Sequence, residues 1–577
     1  MDNPEDQFDI CDKRRSILQG HGHMLILGGP GSGKTTIALL KARRHVIEYL
    51  KPEQSILFLS FSNSAIRRIL ESAGNILVND IAKRVDIKTY HSFAWDILRS
   101  HGYLTSTKRR LTIVPSQDAD IRKAGLTDDK WAEEQMQLYA QSGLVTYDQF
   151  APQAAELLER SQTARACFND AYPLILVDEF QDTDDDQWRM IHALSQGSKI
   201  IALGDTEQRI YAWRPGVSAE RLDEFGQTLA ATTFDFENEN NRSPATGIAG
   251  FARSLLSPGS QQDLPDDVDF KRMQPGQFNA AIKFNLIRTW HAVVKRAGHR
   301  DVSIAIAGRN KQIVRMISDA LASTNTIRGK TYGPISHDVM FDQTQIVLAA
   351  RVIAHMMDTA HSRPNERLAG ALDRLADMHR AVGNKTNITA SERLRKWADK
   401  CRENKAPKTK CVTELAAIIE KINDAGFKGS PTEDWLLVRG FLQKATASEL
   451  TKTAENARFL RLLRRGSLIE DDLANLWKTH GAYIDAEEAF EKAILQDQLL
   501  DGHRPVSQVS VMNMHQLKGR EYDGVLLVED QHRTFRGRES DAPFMETRRL
   551  LQVSLTRARH YAIILSDKKN ATLDVIF

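Results

Sequence analysis

The feature that most constrains this chain is a glycine-rich segment that stands directly between an apolar run and a helical pattern. Residues 23–27 read His-Met-Leu-Ile-Leu, residues 28–35 read Gly-Gly-Pro-Gly-Ser-Gly-Lys-Thr, and apolar residues recur from Ile37 to Ala42. A buried strand, a glycine loop and a helix in this order let backbone N–H groups surround phosphate oxygens at the helix N-terminus. The sequence therefore predicts a phosphate-binding loop in an α/β fold.

The predicted loop supplies one half of a nucleotide site. Lys34 would neutralise phosphate charge, and the hydroxyl of Thr35 would hold a magnesium ion. We assign nucleotide contacts to Gly28, Gly29, Pro30, Gly31, Ser32, Gly33, Lys34, Thr35 and Thr36.

A pair of carboxylates supplies the other half. The apolar run at residues 174–177 ends in Asp178 and Glu179. Asp178 would complete the magnesium shell, and Glu179 would orient or deprotonate the attacking water. Asp-Glu pairs are common on protein surfaces, so the assignment depends on the glycine loop upstream.

Short apolar runs recur along the chain in two groups. The first group comprises residues 23–27, 55–59, 174–177 and 199–203, and the second comprises residues 303–307, 506–513, 524–528 and 561–565. Nearly all-apolar strands that alternate with helical stretches predict parallel sheets covered on both faces. Two segments, at 101–172 and 342–501, lack this pattern and are helical and charged. We expect two α/β lobes, each interrupted by a helical insert.

Six short motifs, in a fixed order, resemble those of UvrD/Rep-like superfamily 1 DNA helicases. They are Phe-Ser-Asn at 61–63, Thr-Tyr-His-Ser-Phe at 89–93, Asp-Glu-Phe-Gln-Asp at 178–182, the segment 204–214, the segment 515–522 and Val-Ser-Leu-Thr-Arg-Ala at 553–558. The resemblance implies two RecA-like P-loop lobes with parallel sheets. The first lobe would comprise residues 1–100 and 173–245 around insert 1B (101–172), and the second residues 246–341 and 502–577 around insert 2B (342–501).

The resemblance also implies roles for single residues around the nucleotide. Gln208 would contact the γ-phosphate, and Glu521 would bind the ribose. Arg242 and Arg557 would act as arginine fingers, which are worth about 10³ to 10⁵ in rate. Hydrolysis would then depend on closure of the two lobes.

Aromatic and polar residues near these motifs would hold the DNA. Tyr211 and Trp213 are suited to stacking on bases of any sequence, although two core aromatics would give the same pattern. By resemblance, Phe61, Asn63 and His91 are further DNA contacts.

The chain departs from the family where the adenine should bind. Arg14, Thr36 and Asn241 stand where these helicases usually carry glutamine, arginine and tyrosine. Because the planar partners of the base are absent, we expect ATP to bind with Mg²⁺ but with weak discrimination between bases.

The composition indicates the class and the cellular location of the protein, but it does not identify a binding partner. The chain has 78 basic and 75 acidic residues, a net charge of +3, so any DNA track must be local. The basic residues within 393–410 fit duplex contact and a solvated helix face equally well, and those within 458–465, interleaved with apolar residues, fit packing against DNA or against a partner. The four cysteines are too far apart in sequence for a zinc motif. No apolar run approaches the ~20 residues of a membrane span, and the first residues do not resemble a secretory signal, which predicts a cytoplasmic protein.

These observations predict an ATP-dependent DNA helicase that moves 3′ to 5′ on single strands and acts at single-strand/duplex junctions. The alternative is a regulatory subunit that senses DNA ends or nucleotide state and controls a separate nuclease, as in the helicase-like component of Gabija anti-phage systems, which the chain also resembles. The chain ends about twenty residues after Arg557, so we expect any nuclease to be a separate protein. A P-loop transporter or kinase would need neither Tyr211 and Trp213 nor Arg557.

Overall fold

The computed structural model describes residues 10–29, 31–61, 63–74, 76–77, 79–106, 110–210, 214–236, 246–259, 263–274, 276–327, 329–340, 343–358, 363–458, 468–500, 508–537 and 539–568. The chain forms two compact units. Unit 1 comprises Met1–Leu104, Phe150–Phe341 and Gly502–Phe577, and unit 2 comprises Thr105–Gln149 and Asp342–Asp501.

The strands are β1 Met24–Gly28, β2 Ile56–Ser60, β3 Val85–Thr89, β4 Thr112–Ile113, β5 Leu144–Val145, β6 Leu174–Val177, β7 Lys199–Gly204, β8 Thr232–Phe236, β9 Val268–Met273, β10 Ile304–Gly308, β11 Asn325–Ile327, β12 Lys330–Tyr332, β13 Asp338–Val339, β14 Val509–Asn513, β15 Tyr522–Val528 and β16 Ala558–Asp567.

The helices are α1 Asp12–Gln19, α2 Lys34–Glu48, α3 Asn63–Gly74, α4 Asn79–Ala82, α5 Tyr90–His101, α6 Ser116–Lys123, α7 Asp128–Gln137, α8 Phe150–Arg160, α9 Gln162–Ala171, α10 Asp185–Ser195, α11 Arg221–Thr228, α12 Ile248–Ser254, α13 Phe278–Ala297, α14 Lys311–Ala322, α15 Gln343–Met357, α16 Pro364–Arg380, α17 Lys385–Arg402, α18 Lys410–Ala425, α19 Pro431–Gln443, α20 Ser448–Ala457, α21 Leu468–His480, α22 Ala486–Leu500 and α23 Met545–Leu555. None of the helices in the described ranges is long and apolar enough to cross a membrane.

Unit 1 is built on two parallel sheets of six strands each, with the orders β3-β2-β6-β7-β1-β8 and β13-β14-β10-β15-β16-β9. The two sheets confirm the predicted fold class. Strands β2, β6, β10 and β15 are buried along their whole length, because helices cover both faces. This burial explains the apolar runs in the sequence.

The strands that the apolar runs did not predict are mostly edge strands. Strands β3 and β8 close the two edges of the first sheet, and β9 closes one edge of the second. Strand β8 has the burial pattern exposed, exposed, intermediate, exposed, buried, so its sequence Thr-Thr-Phe-Asp-Phe carries polar residues. An edge strand with a solvated face needs no continuous apolar run.

The helical segment around residues 101–172 divides differently from the sequence expectation. Helix α8 belongs to unit 1, which resumes at Phe150. Phe150 is buried and stacks on Trp95 of α5 with ring centroids 5.4 Å apart. The apolar face of α8, including Leu157 and Leu158, therefore completes the core of the first lobe. Helical periodicity alone does not reveal which core a helix joins.

Unit 2 joins two segments that are far apart in sequence. Arg351 of α15 pairs with Asp118 of α6, with an N–O distance of 2.6 Å. Thr344 donates a hydrogen bond to Asp120 across 3.0 Å, and Arg380 donates to the carbonyl of Ile121 across 3.0 Å. The two inserts expected from the sequence thus share one compact unit, since polar contacts link α6 to α15 and α16.

The basic stretch of unit 2 is partly neutralised. Arg395 pairs with Asp377 across 2.7 Å, and Arg402 pairs with Asp373 and Asp399. These pairs favour a solvated helix face for this part of the stretch. The second basic cluster spans residues 458–465, and all of it after Arg458 lies outside the described residues.

Candidate nucleotide site

The glycine loop connects β1 to α2 in the predicted manner. Gly31 and Gly33 have φ angles of +80° and +87°, in the left-handed region that favours glycine. At Gly28 a Cβ atom would lie 2.5 Å from the Oγ atom of Ser32, so the loop leaves no room for a side chain there. The Ser32 hydroxyl is buried and has no hydrogen-bond partner among the described residues. A phosphate oxygen at this loop would satisfy it.

Lys34 folds back over the loop. Its Nζ atom donates to the carbonyl oxygen of Gly28 and, across 3.1 Å, to that of Gly29. Thr35 and Thr36 follow in the first turn of α2 and are partly buried. Pro30 lies outside the described residues.

The carboxylate pair follows β6 on the first sheet. Asp178 is buried, and its backbone N–H donates to the carbonyl of Leu59 across 2.9 Å. Glu179 has a φ of +53°, a left-handed conformation that is uncommon and costly for a non-glycine residue. Gln181 Nε2 donates to Glu179 Oε2 across 2.7 Å, and this bond fixes the carboxylate.

A buried hydrogen-bond chain runs from the first sheet to the second. Gln208 Nε2 donates to Asp205 Oδ2 across 2.8 Å, and Gln208 Oε1 accepts from Arg557 Nη2 across 2.6 Å. Asp205 follows β7 in the first sheet, and Arg557 follows α23, which packs on the second sheet. Arg557 is only 1% exposed. The structure thus brings together two of the predicted site residues, Gln208 and Arg557.

The comparisons with known proteins agree with this geometry. A family model described as the UvrD-like helicase C-terminal domain matches residues 134–569, more than half of the chain. The chain belongs to the UvrD-like helicase family. A second model, described as an AAA domain, matches residues 15–214, which include the glycine loop.

Two named relatives of this UvrD-like helicase match along most of their length, and a third matches over about a third. DNA helicase II of Haemophilus influenzae is 23% identical, over 97% of this chain and 84% of the relative. The ATP-dependent DNA helicase PcrA of Staphylococcus aureus is 23% identical, over 96% of this chain and 82% of the relative. PcrA of Leuconostoc citreum is 26% identical over 34% of this chain and 32% of the relative.

The UvrD-like helicase has a buried cation at this site that the sequence analysis did not single out. Lys518 Nζ donates to the carbonyl of Gln208 across 2.8 Å, lies 3.5 Å from Glu179 Oε2, and pairs with Asp182. Burial raises the pKa of Asp182 to about 6, although Lys518 acts in the opposite direction. Lys518 stands inside the motif at 515–522, and a basic residue within that motif was the available signal.

The residues of the site fit a magnesium-bound triphosphate. Among the described residues, no cluster of three or more His, Cys, Asp or Glu side chains forms a ready metal cage. A P-loop magnesium ion needs none, because one hydroxyl and one carboxylate act with waters and phosphate oxygens, and here Thr35 and Asp178 would supply them. Burial raises the pKa of Asp205, and the charge of Lys34 lowers it.

For the remaining predicted site residues the structure shows few contacts or none. Glu521 precedes β15 and accepts from Arg559 Nη2 across 3.1 Å. Phe61 follows β2 and packs on Tyr90, with ring centroids 5.0 Å apart. His91 lies exposed in the first turn of α5. The side chain of Asn63 and all of Tyr211, Trp213, Asn241 and Arg242 lie outside the described residues.

Proposed function

We propose that this chain is an ATP-dependent DNA helicase that moves 3′ to 5′ along single-stranded DNA and acts at single-strand/duplex junctions. The observation that carries the proposal is the buried chain from Asp205 through Gln208 to Arg557. The relatives named DNA helicase II and PcrA, which match nearly the whole chain, support it.

The hydrogen-bond chain gives the proposal a physical basis. A single amide, that of Gln208, contacts a carboxylate of the first lobe and a guanidinium of the second. A change in charge at the triphosphate that moves Asp205 would therefore also strain the contact between Gln208 and Arg557. Three residues after Gln208 begins the segment 211–213, which we propose stacks on bases.

The remaining roles follow from position in the loop and strands. Lys34 would bind phosphate, Thr35 and Asp178 would hold Mg²⁺, and Glu179 would orient the attacking water. We further propose Arg242 as a second arginine finger and Glu521 as the ribose contact.

The decisive experiment compares the purified chain with its Lys34→Ala variant. We expect the variant to lose DNA-stimulated ATP hydrolysis, since the loop would lack its phosphate-neutralising charge. Lys51→Ala removes an exposed lysine of the same lobe and should hydrolyse like the wild type. Retention of stimulated hydrolysis by Lys34→Ala would refute the site.

A second measurement tests strand displacement and its direction. Duplexes with a 3′ single-stranded tail should be unwound, and those with a 5′ tail should not. Equal unwinding of both would refute the direction. Hydrolysis without displacement, together with co-purification of a nuclease, would instead support a DNA-end or nucleotide-sensing subunit of an anti-phage system.

A further inference from the structure

One residue, Thr183, anchors the chain that follows the carboxylate pair. It is fully buried and stands directly after the short turn Phe180–Asp182. The backbone N–H of Thr183 donates to the carbonyl of Phe180 across 3.1 Å and so closes the turn. The hydroxyl and the carbonyl of Thr183 are bonded to two helices that are distant in sequence. Thr183 is therefore held both by its own turn and by the surrounding fold.

Tyr90, the first residue of α5, holds the hydroxyl of Thr183. The Tyr90 Oη and Thr183 Oγ1 atoms lie 3.2 Å apart and share a hydrogen bond. Tyr90 is 2% exposed, and burial raises the pKa of its hydroxyl well above the usual range, so this hydroxyl stays protonated. Loss of either hydroxyl would remove a buried hydrogen bond that water does not readily replace.

Arg221, the first residue of α11, holds the carbonyl of Thr183. Its Nε atom donates to that carbonyl across 3.1 Å. Its Nη1 atom donates to Glu224 across 2.6 Å, and its Nη2 atom donates to the carbonyl of Gly216 across 3.1 Å and to Asp185. Arg221 is 1% exposed, and all three guanidinium nitrogens have acceptors. A buried guanidinium bonded in this way has little freedom to move.

Helix α11 also packs on the turn through an apolar contact. The rings of Phe225 in α11 and Phe180 in the turn meet edge to face, with centroids 4.9 Å apart, and both side chains are fully buried. Trp188 of α10 donates to Glu224 across 2.8 Å and so links α10 to α11. The turn therefore cannot shift unless α11 moves with it.

The conformation of Glu179 requires such support. A φ of +53° in a non-glycine residue persists only where the surrounding structure imposes it. The backbone N–H of Asp182 donates to the carbonyl of Glu179 across 3.0 Å, and the Gln181 side chain donates to the Glu179 carboxylate. The position of the turn thus sets both the backbone and the carboxylate of Glu179.

We infer that Arg221 and Tyr90 are positioning residues for ATP hydrolysis, which act through Thr183 on the turn that holds the Glu179 carboxylate. The inference rests on the proposed function, in which Glu179 orients the attacking water. Both residues act behind the carboxylate and not at the glycine loop, which binds the triphosphate. Their loss should therefore lower kcat and leave KM for ATP unchanged.

The test is steady-state hydrolysis with saturating oligo-dT. Arg221→Met should lower kcat by about 10²-fold, the effect of misplacing a reacting group by about 1 Å. Tyr90→Phe removes only the hydroxyl and should lower kcat by about tenfold, the rate equivalent of one hydrogen bond. Both variants should keep the wild-type KM. Wild-type kcat in both folded variants would overturn the inference.

A stability control separates positioning from a purely structural role. Glu224→Gln breaks an ion pair of Arg221 but leaves its bond to Thr183. This variant should have a lower denaturant midpoint and the wild-type kcat. If kcat instead falls in parallel with the denaturant midpoint across Arg221→Met and Glu224→Gln, the inference is wrong.

Arg221→Lys serves if Arg221→Met does not fold by circular dichroism. It keeps a positive charge near Asp185 and Glu224 and loses the Nε–H donor to Thr183. We expect a folded protein with lowered kcat and unchanged KM. Wild-type kcat in this variant would contradict a positioning role for Arg221.

A double variant tests whether Tyr90 acts through Thr183. Thr183→Val removes the other hydroxyl of the same hydrogen bond. Tyr90→Phe, Thr183→Val and the double variant should share one kcat, because each lacks the same bond. Losses that multiply in the double variant would mean that Tyr90 acts by another route.

Failure of this inference is distinct from failure of the proposed function. Glu179→Gln removes the carboxylate itself and should abolish stimulated hydrolysis. Loss of hydrolysis in Glu179→Gln, with wild-type kcat in Arg221→Met and Tyr90→Phe, would overturn the inference and leave the function standing. Wild-type hydrolysis in Glu179→Gln would refute the proposed role of Glu179, and this inference with it.

Discussion

At the scale of single residues, the amide of Gln208 has the most demanding environment in the site. It donates to Asp205 and accepts from Arg557, and both of its partners are buried. A buried polar group that loses a partner costs about 1–3 kcal/mol, and more when the partner is charged. Substitutions at either end of this contact should therefore affect each other.

We expect Arg557→Ala to lower kcat for DNA-stimulated hydrolysis by about 10³-fold, the lower end of the range for an arginine finger. Gln208→Ala should also lower kcat. The double variant should be less impaired than the product of the two effects, because residues that act as a unit are not additive. Steady-state kinetics of the four proteins checks this, with Arg533→Ala as a control. Strict additivity would mean that the two side chains act independently.

The residues expected at the adenine site predict a kinetic property. Arg14 stacks over Phe236 at 5.1 Å and donates to the carbonyl of Ser32 across 3.3 Å, beside the glycine loop. Thr36 offers no planar surface to a base. We expect kcat/KM for ATP and GTP to differ by less than about a hundredfold, which corresponds to about 2.7 kcal/mol of base recognition. A larger preference for ATP would contradict this.

His45 in α2 predicts a loss of stability in acid. Burial, followed by the charges of Lys41 and His21, lowers its pKa to about 4, while Glu48 opposes the shift. The unfolded chain therefore binds a proton near pH 6.5 that the folded chain binds only near pH 4. The stabilising contribution is fully present above pH 6.5 and falls as the pH drops from 6.5 towards 4.

The measurement for His45 is the denaturant midpoint from pH 8 to pH 4. His45→Gln should flatten the acid-dependent fall, whereas His299→Gln, at an exposed position, should leave it unchanged. An identical pH profile for His45→Gln and the wild type would contradict the assignment.

At the scale of secondary-structure elements, a capping box stabilises the N-terminus of α10, the helix that follows the carboxylate pair Asp178 and Glu179. A short turn at Phe180–Asp182 follows Glu179, and α10 begins three residues later. Asp184 accepts from the backbone N–H of Gln187 across 2.9 Å, and the Gln187 side chain accepts from the backbone N–H of Asp184. This capping box satisfies two donors that the helix itself cannot.

We expect Asp184→Ala to destabilise unit 1 by about 1 kcal/mol, since the first turn of α10 loses its cap. Asp184→Asn should retain most of the stability, because an amide oxygen also caps. Asp223→Ala, an exposed acidic residue in the first turn of α11, is the control. Equal denaturant midpoints for Asp184→Ala and the control would contradict a capping role.

At the scale of the whole molecule, the chain leaves and re-enters each compact unit. Unit 2 gathers Thr105–Gln149 with Asp342–Asp501, and its two segments are joined by Arg351. This guanidinium pairs with Asp118 and, across 2.8 Å, with Glu491. Burial raises the pKa of Glu491, and Arg351 lowers it.

We expect Arg351→Ala to destabilise unit 2 by about 1–3 kcal/mol, because the partly buried carboxylates of Asp118 and Glu491 lose their shared hydrogen-bonding partner. Limited proteolysis should then cut first within 105–149 or 342–501. Arg395→Ala, which breaks an exposed pair of the same unit, should change the cleavage rate little. Cleavage that begins in unit 1 would contradict the link.

The nucleotide loop, the carboxylate pair and the two α/β lobes could be predicted from the amino-acid sequence. Each depends on local pattern: Gly31 and Gly33 adopt left-handed φ angles, and buried parallel strands such as β2 and β6 must be continuously apolar. Which core each helix joins could not be predicted, because it depends on how the helices pack in three dimensions. The periodicity of α8 and α6 is the same kind of signal, yet α8 packs in unit 1 and α6 in unit 2.

The side-chain contacts within the site also depend on the tertiary packing. Lys518 lies 336 positions from Asp182, and Arg557 lies 349 positions from Gln208, yet each pair is in contact. Long-range side-chain contacts depend on how two sheets and their helices pack, and no local spacing in the chain records that packing.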